Sequence, residues 1–125
     1  MPKTIVLVGH CGPDSSYLRM AINKSVKDAK VLMADDDSEL SQALEAGADL
    51  ILFNRQLGYG FTEPEGVKAI ERLKYLSNGT KMMLISNYPD AQAAAVEAGA
   101  LPGFGKRELG SQRVTELLRK AVGQE

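Results

Sequence analysis

The sequence predicts an α/β domain built around a parallel sheet, and two observations carry that prediction. Five short apolar runs alternate with five segments whose apolar residues recur at helical spacing, which is typical of β-α-β crossovers with helices on both faces of a sheet. One run, residues 50–53, is apolar throughout between Asp49 and Asn54, as in a strand buried on both faces. Asn54 is therefore expected in the crevice at the carboxyl edge of the sheet, where open α/β folds keep their sites.

The composition fits one ordinary globular domain, which we expect to span residues 1–125. The formal net charge is −1, which gives no electrostatic footprint for nucleic acid or for an anionic membrane. No run reaches the roughly 18 apolar residues of a membrane span, and the first residues lack the layout of a signal peptide. Because Cys11 is the only cysteine, no intrachain disulfide can form, and the reducing cytoplasm is the expected location.

The first strand and helix surround a loop that contains glycine. Residues 4–8 are rich in β-branched side chains and stop at Gly9, which predicts a strand. After the loop, Asp14 or Ser15 is the expected N-cap of a first helix. That helix has apolar residues at helical spacing: Tyr17, Leu18, Ala21, Ile22 and Val26.

A second strand, residues 30–34, is followed by Asp35, Asp36 and Asp37. These residues offer N-caps and place negative charge at a helix N-terminus, where the helix dipole favours it. Three aspartates could also form a metal cluster, but a solvated helix entry is the commoner arrangement and the one we expect. The second helix should end before Gly47, because glycine takes the left-handed conformation of a C′ residue without penalty.

The longest loop, residues 55–63, precedes the third helix. Thr62 and Glu65 match a capping box at the start of that helix, and Asn78 with Gly79 is expected to end it. The apolar stripe of the helix consists of Val67, Ile70, Leu73 and Leu76.

The last third of the chain contains the weakest predicted elements. Residues 81–85 predict a fourth strand, and Pro89 opens a fourth helix. Residues 91–98 are mostly alanine, so this helix buries little apolar surface and should be weakly held. Residues 101–105 make a poor fifth strand because they include one proline and two glycines. Ser111 is expected to cap the last helix.

Several motifs along the chain match one family. They are Asp49 to Asn54 at the third strand, Leu57, Gly66, Ile85-Ser86, Glu97-Ala98-Gly99-Ala100 and Lys106. In these residues the chain resembles a response-regulator receiver domain of the chemotaxis-regulator type, the phospho-acceptor half of two-component signalling, over essentially its whole length. The resemblance implies a flavodoxin-like doubly wound sheet of five parallel strands in the order 2-1-3-4-5, with helices on both faces.

The chemistry of that family uses carboxylates that this sequence lacks. In receivers, an aspartate after the third strand accepts the phosphoryl group and holds Mg²⁺ with an acidic pair that follows the first strand, and a hydroxyl and a lysine bind the phosphoryl oxygens. Here Asn54 occupies the position of the nucleophile, and Gly9 and His10 occupy those of the acidic pair. Ser86 and Lys106 match the hydroxyl and the lysine. A carboxamide nitrogen cannot form the acyl phosphate, because its lone pair is delocalised.

The resemblance therefore implies a pseudo-receiver, with no phosphorylation at the usual site, no Mg²⁺ or other cofactor, and no enzymatic activity. We expect Lys106 to donate to the side-chain oxygen of Asn54 and, with Ser86, to fix one conformation. Gly103 stands where the family often carries a mobile aromatic, so no aromatic switch is expected.

The expected function is phosphorylation-independent protein–protein interaction within a signalling or phosphorelay pathway. The expected docking surface is the fourth helix, the fifth strand and the last helix, a face that receivers often use. Its candidate residues are Tyr88, Ala91, Ala94, Ala95 and Phe104. The expected partner is a signalling protein, and a second copy of the chain is another candidate.

Two other functions stay open. The Gly9–Ser16 loop and Asn54 could hold a small molecule or an anion, because a loop with glycines leads there into a helix N-terminus, although it matches neither a P-loop nor a dinucleotide fingerprint. Asp14, brought into the crevice by that loop, could instead accept a phosphoryl group. A zinc site on His10 and Cys11 is disfavoured because adjacent side chains rarely face the same way and the chain has no other His or Cys. Cys11 is either a packed residue or a loop thiol.

Overall fold

The computed structural model describes residues 2–76 and 79–124. Within these residues five β-strands alternate with five α-helices, as the sequence predicts. The strands are β1 (Lys3–Val8), β2 (Ala29–Ala34), β3 (Leu50–Asn54), β4 (Lys81–Ile85) and β5 (Leu101–Phe104). The helices are α1 (Gly12–Ser25), α2 (Asp37–Glu45), α3 (Gly66–Leu76), α4 (Pro89–Ala98) and α5 (Gln112–Ala121), with a short 3-10 turn at Lys106–Glu108. Of the helices in this described part, none has the length and apolarity to cross a membrane.

The five strands form one parallel sheet in the order β2-β1-β3-β4-β5, which confirms the flavodoxin-like, doubly wound prediction. β3 lies between β1 and β4, and its residues Leu50 to Phe53 are fully buried. Burial of side chains of this size contributes about 1.5–3 kcal/mol each. β3 therefore anchors the sheet and fixes the place where Asn54, its last residue, emerges.

The helices cover both faces of the sheet. α2, α3 and α4 pack over one face, around Val6, Ile51 and Phe53. α1 and α5 pack over the other face, around Ile5 and Leu52. Because successive strand residues point to opposite faces, the two central strands contribute to both apolar layers.

Three helix ends form as the sequence predicts. The carboxylate of Asp36 accepts a hydrogen bond of 2.8 Å from the backbone N–H of Glu39 and caps α2. α2 ends before Gly47, which has a φ of +83°. The hydroxyl of Ser111 accepts from the backbone N–H of Val114 at 3.3 Å and caps α5.

The predicted N-caps of α1 and α3 are wrong, because the expected capping side chains bind elsewhere or are buried. α1 begins at Gly12, so Asp14 and Ser15 lie inside its first turn rather than at its N-cap. The hydroxyl of Thr62 does not cap α3 and donates instead to the carboxylate of Asp37 at 2.6 Å, whereas the motif that places Gly66 at the opening of α3 is confirmed. The predicted end of α3 at Asn78 lies outside the described residues.

β5 forms at the edge of the sheet, with an irregular register against β4 between Met83 and Ile85. Gly103 is required there, because a Cβ at this position would overlap the carbonyl oxygen of Leu84. The side-chain amide of Gln92, on α4, donates at the same place to the carbonyl oxygens of Leu84 at 2.8 Å, Ser86 at 3.1 Å and Phe104 at 3.2 Å. One amide group thus joins α4 to the ends of two strands.

Candidate functional site

The site lies at the carboxyl edge of the sheet, where the loops after β1, β3, β4 and β5 meet. These loops bring together the positions that the sequence singled out. The ammonium Nζ of Lys106 lies 3.4 Å from Oδ1 of Asn54, which confirms the predicted contact between the two loops. The contact is long for a hydrogen bond, so it is the weaker of the two bonds that Lys106 makes.

The side chain of Asn54 is held at both ends of its amide. Its Nδ2 donates to the carbonyl oxygens of Gly9 at 3.2 Å and of Gln56 at 2.8 Å, and its Oδ1 accepts from Lys106. Two acceptors facing Nδ2 require a donor at that position. A carboxylate in place of this amide would set an anionic oxygen against two carbonyl oxygens, so the surroundings favour asparagine over aspartate.

Gly9 leaves no room for a side chain. Its φ is +74°, a conformation that glycine adopts without steric cost. A Cβ at this position would lie 2.7 Å from the Cα of Leu57 and 2.9 Å from its Cδ2. Because Leu57 is itself buried in the core, a larger residue at position 9 requires the loop after β3 to move.

His10 is buried, with 6% of its surface exposed. Its Nε2 donates to the carbonyl oxygen of Leu52 at 2.9 Å, which fixes the tautomer because that carbonyl can only accept. Its Nδ1 has no hydrogen-bond partner in the described part of the chain. Burial lowers the pKa of His10 to about 4, so the imidazole is neutral at physiological pH.

Lys106 makes its strongest contact with Asp14. Its Nζ lies 2.6 Å from Oδ2 of Asp14, in the first turn of α1. This hydrogen bond holds the pKa of Asp14 below its usual value. The sequence placed Asp14 in the crevice only as an alternative acceptor of phosphate. A clue lay in its position, because an acid in the first turn of α1 faces the same edge of the sheet as residues that follow β5.

Ser86 is buried at the end of β4. Its hydroxyl oxygen accepts a hydrogen bond of 3.1 Å from the backbone N–H of Tyr88, which shapes the entry into α4. Its backbone N–H donates to the carbonyl oxygen of Phe104 at 3.0 Å. Ser86 therefore has a structural role in addition to lining the cavity described next.

A cavity of about 220 Å³ lies between the loops after β3 and β4. Its polar lining includes Asn54, Arg55, Ser86, Asn87 and Lys106. The guanidinium carbon of Arg55 lies 5.0 Å from the centre of the Tyr88 ring, within the range of a cation–π contact. This contact connects the two loops.

No protein-family model matches the chain, and no curated protein matches it significantly. Solved structures do match. The signal receiver domain of the DNA binding response regulator merR from Colwellia psychrerythraea 34H has a TM-score of 0.77 at 16% identity, over 98% of this chain and 99% of that one. The signal receiver domain of an HD domain-containing protein from Pseudomonas fluorescens Pf-5 has a TM-score of 0.76 at 20% identity, over 97% and 87%. The beryllofluoride-activated NtrC4 receiver domain dimer has a TM-score of 0.74 at 18% identity, over 98% and 97%.

The chain has the receiver fold. Identities of 16% to 20% establish the fold alone, so the function has to be argued from the residues of the site.

The three acidic positions that the receiver resemblance assigns to Mg²⁺ do not offer a set of donors for that ion. Mg²⁺ prefers carboxylate and water oxygens in an octahedral arrangement. Gly9 has no side chain, Nε2 of His10 is engaged with Leu52, and Asn54 turns its nitrogen toward two carbonyls. Within the described residues, no three His, Cys, Asp or Glu side chains are grouped as a metal site requires.

The other side chains considered as metal ligands either form hydrogen bonds within the protein or are exposed. Asp36 caps α2. The carboxylate of Asp37 accepts hydrogen bonds from the backbone N–H and the hydroxyl of Thr62, which ties the start of α2 to the long loop. Cys11 is an exposed free cysteine at the N-cap of α1, so its interpretation as a packed residue is wrong.

The five residues predicted to form the docking surface divide into an exposed group and a buried group. Tyr88 and Ala94 are exposed, and Ala91 is partly exposed. Ala95 and Phe104 are each 1% exposed, so their assignment to a docking surface is wrong. Ala95 faces the core beneath α4, and Phe104 packs beneath α5 at the inner side of β5.

The exposed part of this face contains a groove of about 770 Å³ between α4, β5 and the 3-10 turn. Ala93, Val96 and Pro102 form part of its apolar lining, and the lining also includes Arg107, the residue after Lys106. Gln92 also lines it, and sequence reasoning missed that residue. The available signal was a long uncharged polar side chain in a helix made mostly of alanine.

Proposed function

We propose that the chain is a receiver-like domain that is not phosphorylated at the usual site and that acts by protein–protein interaction in signal transduction. The single observation that carries the proposal is the environment of Asn54. Its amide nitrogen faces two carbonyl oxygens and its oxygen faces Lys106, so the side chain is a fixed part of the crevice. A side chain held in this way has neither the negative charge nor the freedom of movement that a phosphoryl acceptor needs.

The proposal includes the absence of Mg²⁺ binding and of catalysis. Gly9 cannot be replaced by an acid without moving the loop after β3, and His10 is neutral and engaged with the backbone. The carboxylate that does lie in the crevice, Asp14, is paired with Lys106. These contacts support one conformation of the crevice, which phosphate does not switch.

The same proposal assigns the interaction to the α4–β5–α5 face. The exposed residues Tyr88, Ala94 and Val96 and the apolar groove support it, since core positions of protein interfaces favour aromatic and apolar side chains. Gln92 braces this face from behind by joining α4 to the strand ends. The partner in this proposal is a signalling protein of the cytoplasm, with a second copy of the chain as the alternative.

The test is incubation with a small-molecule phosphodonor and Mg²⁺, followed by intact-mass measurement. The native chain and the Asn54→Asp variant are both expected to keep their mass, because restoring one acid leaves Gly9 and His10 without carboxylates. A phosphorylatable receiver treated in parallel verifies the donor.

The variant Asp14→Asn separates the rival mechanism from the proposal. A stable gain of one phosphoryl group by the native chain would overturn the proposal. If that gain were absent from Asp14→Asn, the acceptor would be the displaced acid of α1.

A further inference from the structure

The face of the sheet that α2, α3 and α4 cover contains a cleft that shares no lining residue with the cavity beside Asn54. The cleft has a volume of about 250 Å³, and its walls come from α2, from α3 and from the loop after β3. Its apolar lining consists of Leu40, Leu44, Leu57, Phe61, Ala69 and Leu73. Most of these side chains are buried members of the core on this face, so the cleft reaches the apolar interior.

The loop side of the cleft is fixed by hydrogen bonds to its surroundings. The carboxylate of Asp37 accepts from the backbone N–H of Thr62 at 3.0 Å and from its hydroxyl at 2.6 Å. The backbone N–H of Asp37 donates to the carbonyl oxygen of Gly60 at 3.2 Å, and that of Leu57 donates to the carbonyl oxygen of Pro64 at 2.7 Å. The walls are therefore formed before any ligand binds, as in most small-molecule sites.

Charged side chains of both signs complete the lining. Arg72 belongs to α3, while Asp37 comes from the start of α2 and Glu63 from the loop. None of the three forms an ion pair with another described residue. The hydrogen bonds from Thr62 hold the pKa of Asp37 below its usual value, and the positive charge of Arg72 lowers it further through space. The cation and the carboxylates thus line one cleft without direct contact between them.

Each of the two carboxylates keeps one oxygen for a ligand. Both hydrogen bonds from Thr62 go to Oδ2 of Asp37, and Oε2 of Glu63 accepts from the backbone N–H of Glu65 at 3.1 Å. The other oxygen of each carboxylate accepts no hydrogen bond from the described part of the chain. These oxygens and the N–H donors of the Arg72 guanidinium are the charged groups that the cleft offers.

The mixed charge of the lining selects one class of ligand. A simple carboxylate would satisfy Arg72 but would face the acids Asp37 and Glu63, and a simple amine would satisfy the acids but face Arg72. A zwitterion satisfies both signs, and a charged group that leaves water needs such a partner. The apolar walls add the requirement for an apolar side chain, because only apolar surface gains from burial against them.

The size of the cleft limits the ligand to a small molecule. A cavity of roughly 150 Å³ lined by leucine, isoleucine and phenylalanine side chains binds benzene. The volume of about 250 Å³ leaves space for one apolar side chain and a head group of a few atoms.

We propose that this cleft binds a free apolar α-amino acid such as leucine. Its carboxylate pairs with Arg72, its ammonium group with Glu63 and Asp37, and its side chain lies among the apolar residues. The planar fork of N–H donors on arginine matches the two oxygens of a carboxylate. The site goes beyond the proposed function and does not depend on it, because it shares no lining residue with the groove between α4 and β5.

The experiment is an amide NMR titration of the ¹⁵N-labelled chain with L-leucine, L-methionine and L-phenylalanine at constant pH and ionic strength. Saturable shifts are expected at residues 37–44, 61–63 and 69–73. Glycine presents the same two charges without a side chain and should bind at least roughly tenfold more weakly. The proposal is wrong if none of the three amino acids gives saturable shifts at these residues, or if glycine binds equally well.

Two analogues of leucine test the charges separately. Isoamylamine lacks the carboxylate and isocaproate lacks the ammonium group, and each is expected to bind roughly tenfold more weakly than leucine. An affinity of either analogue equal to that of leucine would overturn the proposal, since the cleft would then recognise only one charge.

Three variants test the residues, and their amide spectra verify the fold. Arg72→Gln is expected to weaken leucine binding roughly tenfold but not isoamylamine binding, because the amine has no carboxylate for the guanidinium. Lys68→Gln is the matched control, since it removes an exposed cation of the same helix that does not line the cleft, and it should leave leucine binding unchanged. Equal losses in the two variants would indicate general charge attraction and overturn the site.

Glu63→Gln should produce the reverse pattern. It is expected to weaken leucine binding severalfold but not isocaproate binding, because isocaproate has no ammonium group. An unchanged affinity for leucine in Glu63→Gln would also overturn the site. None of these outcomes bears on the phosphodonor experiment, so the two proposals can fail separately.

Discussion

The crevice has two halves that differ in charge and in packing. The neutral half consists of Gly9, His10 and Asn54, where backbone contacts and an amide fill the space. The cationic half consists of Arg55, Ser86, Asn87 and Lys106, which line a cavity. In the neutral half the three residues carry no acid and are held by backbone contacts, whereas the cationic half balances one of its positive groups with Asp14.

The difference teaches that a crevice whose neutral half has no carboxylate needs other partners for the cations beside it. An unpaired ammonium or guanidinium in a partly buried place is costly, so each cation requires a partner. Lys106 finds one in α1, and Arg55 lies against an aromatic ring. The polarity of the crevice is therefore opposite to that of a divalent-cation site.

The largest loss of stability is expected from an acid introduced into the neutral half. Gly9→Asp should lower the free energy of unfolding by about 2–4 kcal/mol, because it combines a strained positive φ with a clash against the backbone of Leu57. Urea denaturation measures the change. The matched control is Gly12→Asp, since Gly12 begins α1 with open space around it and an acid is favourable at a helix N-terminus. Similar losses in both variants would contradict the claim that position 9 is closed.

A smaller loss of stability is expected at low pH, where protonation of His10 in the neutral half opposes folding. The pKa of His10 is about 4 in the folded chain against 6.5 for an ordinary histidine, so the unfolded state binds more protons between these values. Stability is therefore full above pH 6.5 and falls as the pH decreases toward 4, by about 2–3 kcal/mol between pH 7.5 and 4.5.

Urea denaturation between pH 4.5 and 7.5 measures this loss, with His10→Gln as the variant that cannot titrate. The Asp14 carboxyl has a pKa below its usual value of 3.8, so its contribution is lost only below that range and does not interfere. A native chain with the same pH profile as His10→Gln would show that His10 is not buried in its neutral form.

The smallest effect is expected from the ion pair that balances the cationic half. Asp14 and Lys106 are each about one third exposed, so solvent screens their attraction. A double-mutant cycle with Asp14→Asn and Lys106→Met should give a coupling free energy of about 0.5–1 kcal/mol at neutral pH, decreasing with added salt. A coupling near zero would mean that Asp14 does not hold Lys106 in solution.

The sequence predicts much of the fold because the signals are local. Some segments determine their own backbone conformation without help from distant residues. They are the apolar run of residues 50–53, the β-branched first strand and the glycine after α2. The contact between Asn54 and Lys106 was also predictable, since Asn54 ends β3, Lys106 follows β5 at the same edge of the parallel sheet, and Asn54 offers an acceptor to the ammonium of Lys106.

The two incorrect N-cap predictions share a physical cause, which is competition from distant parts of the chain. Asp14 was expected to cap α1 and instead binds a lysine 92 positions away, and Thr62 was expected to cap α3 and binds an aspartate 25 positions away. An alanine-rich helix also hides its orientation, because apolar residues lie on every side. Ala95 is buried while Ala94 is exposed, and composition cannot distinguish them.

The close approach of Gly9 to Leu57 imposes an order on any attempt to engineer phosphoryl chemistry into this chain. An acid added first at position 9 would meet a backbone that has no place for it, so stability would be lost before any activity could be gained. A designer would have to shorten or reroute the segment after β3 at the outset. Only then would a carboxylate at position 9 become a tolerable substitution.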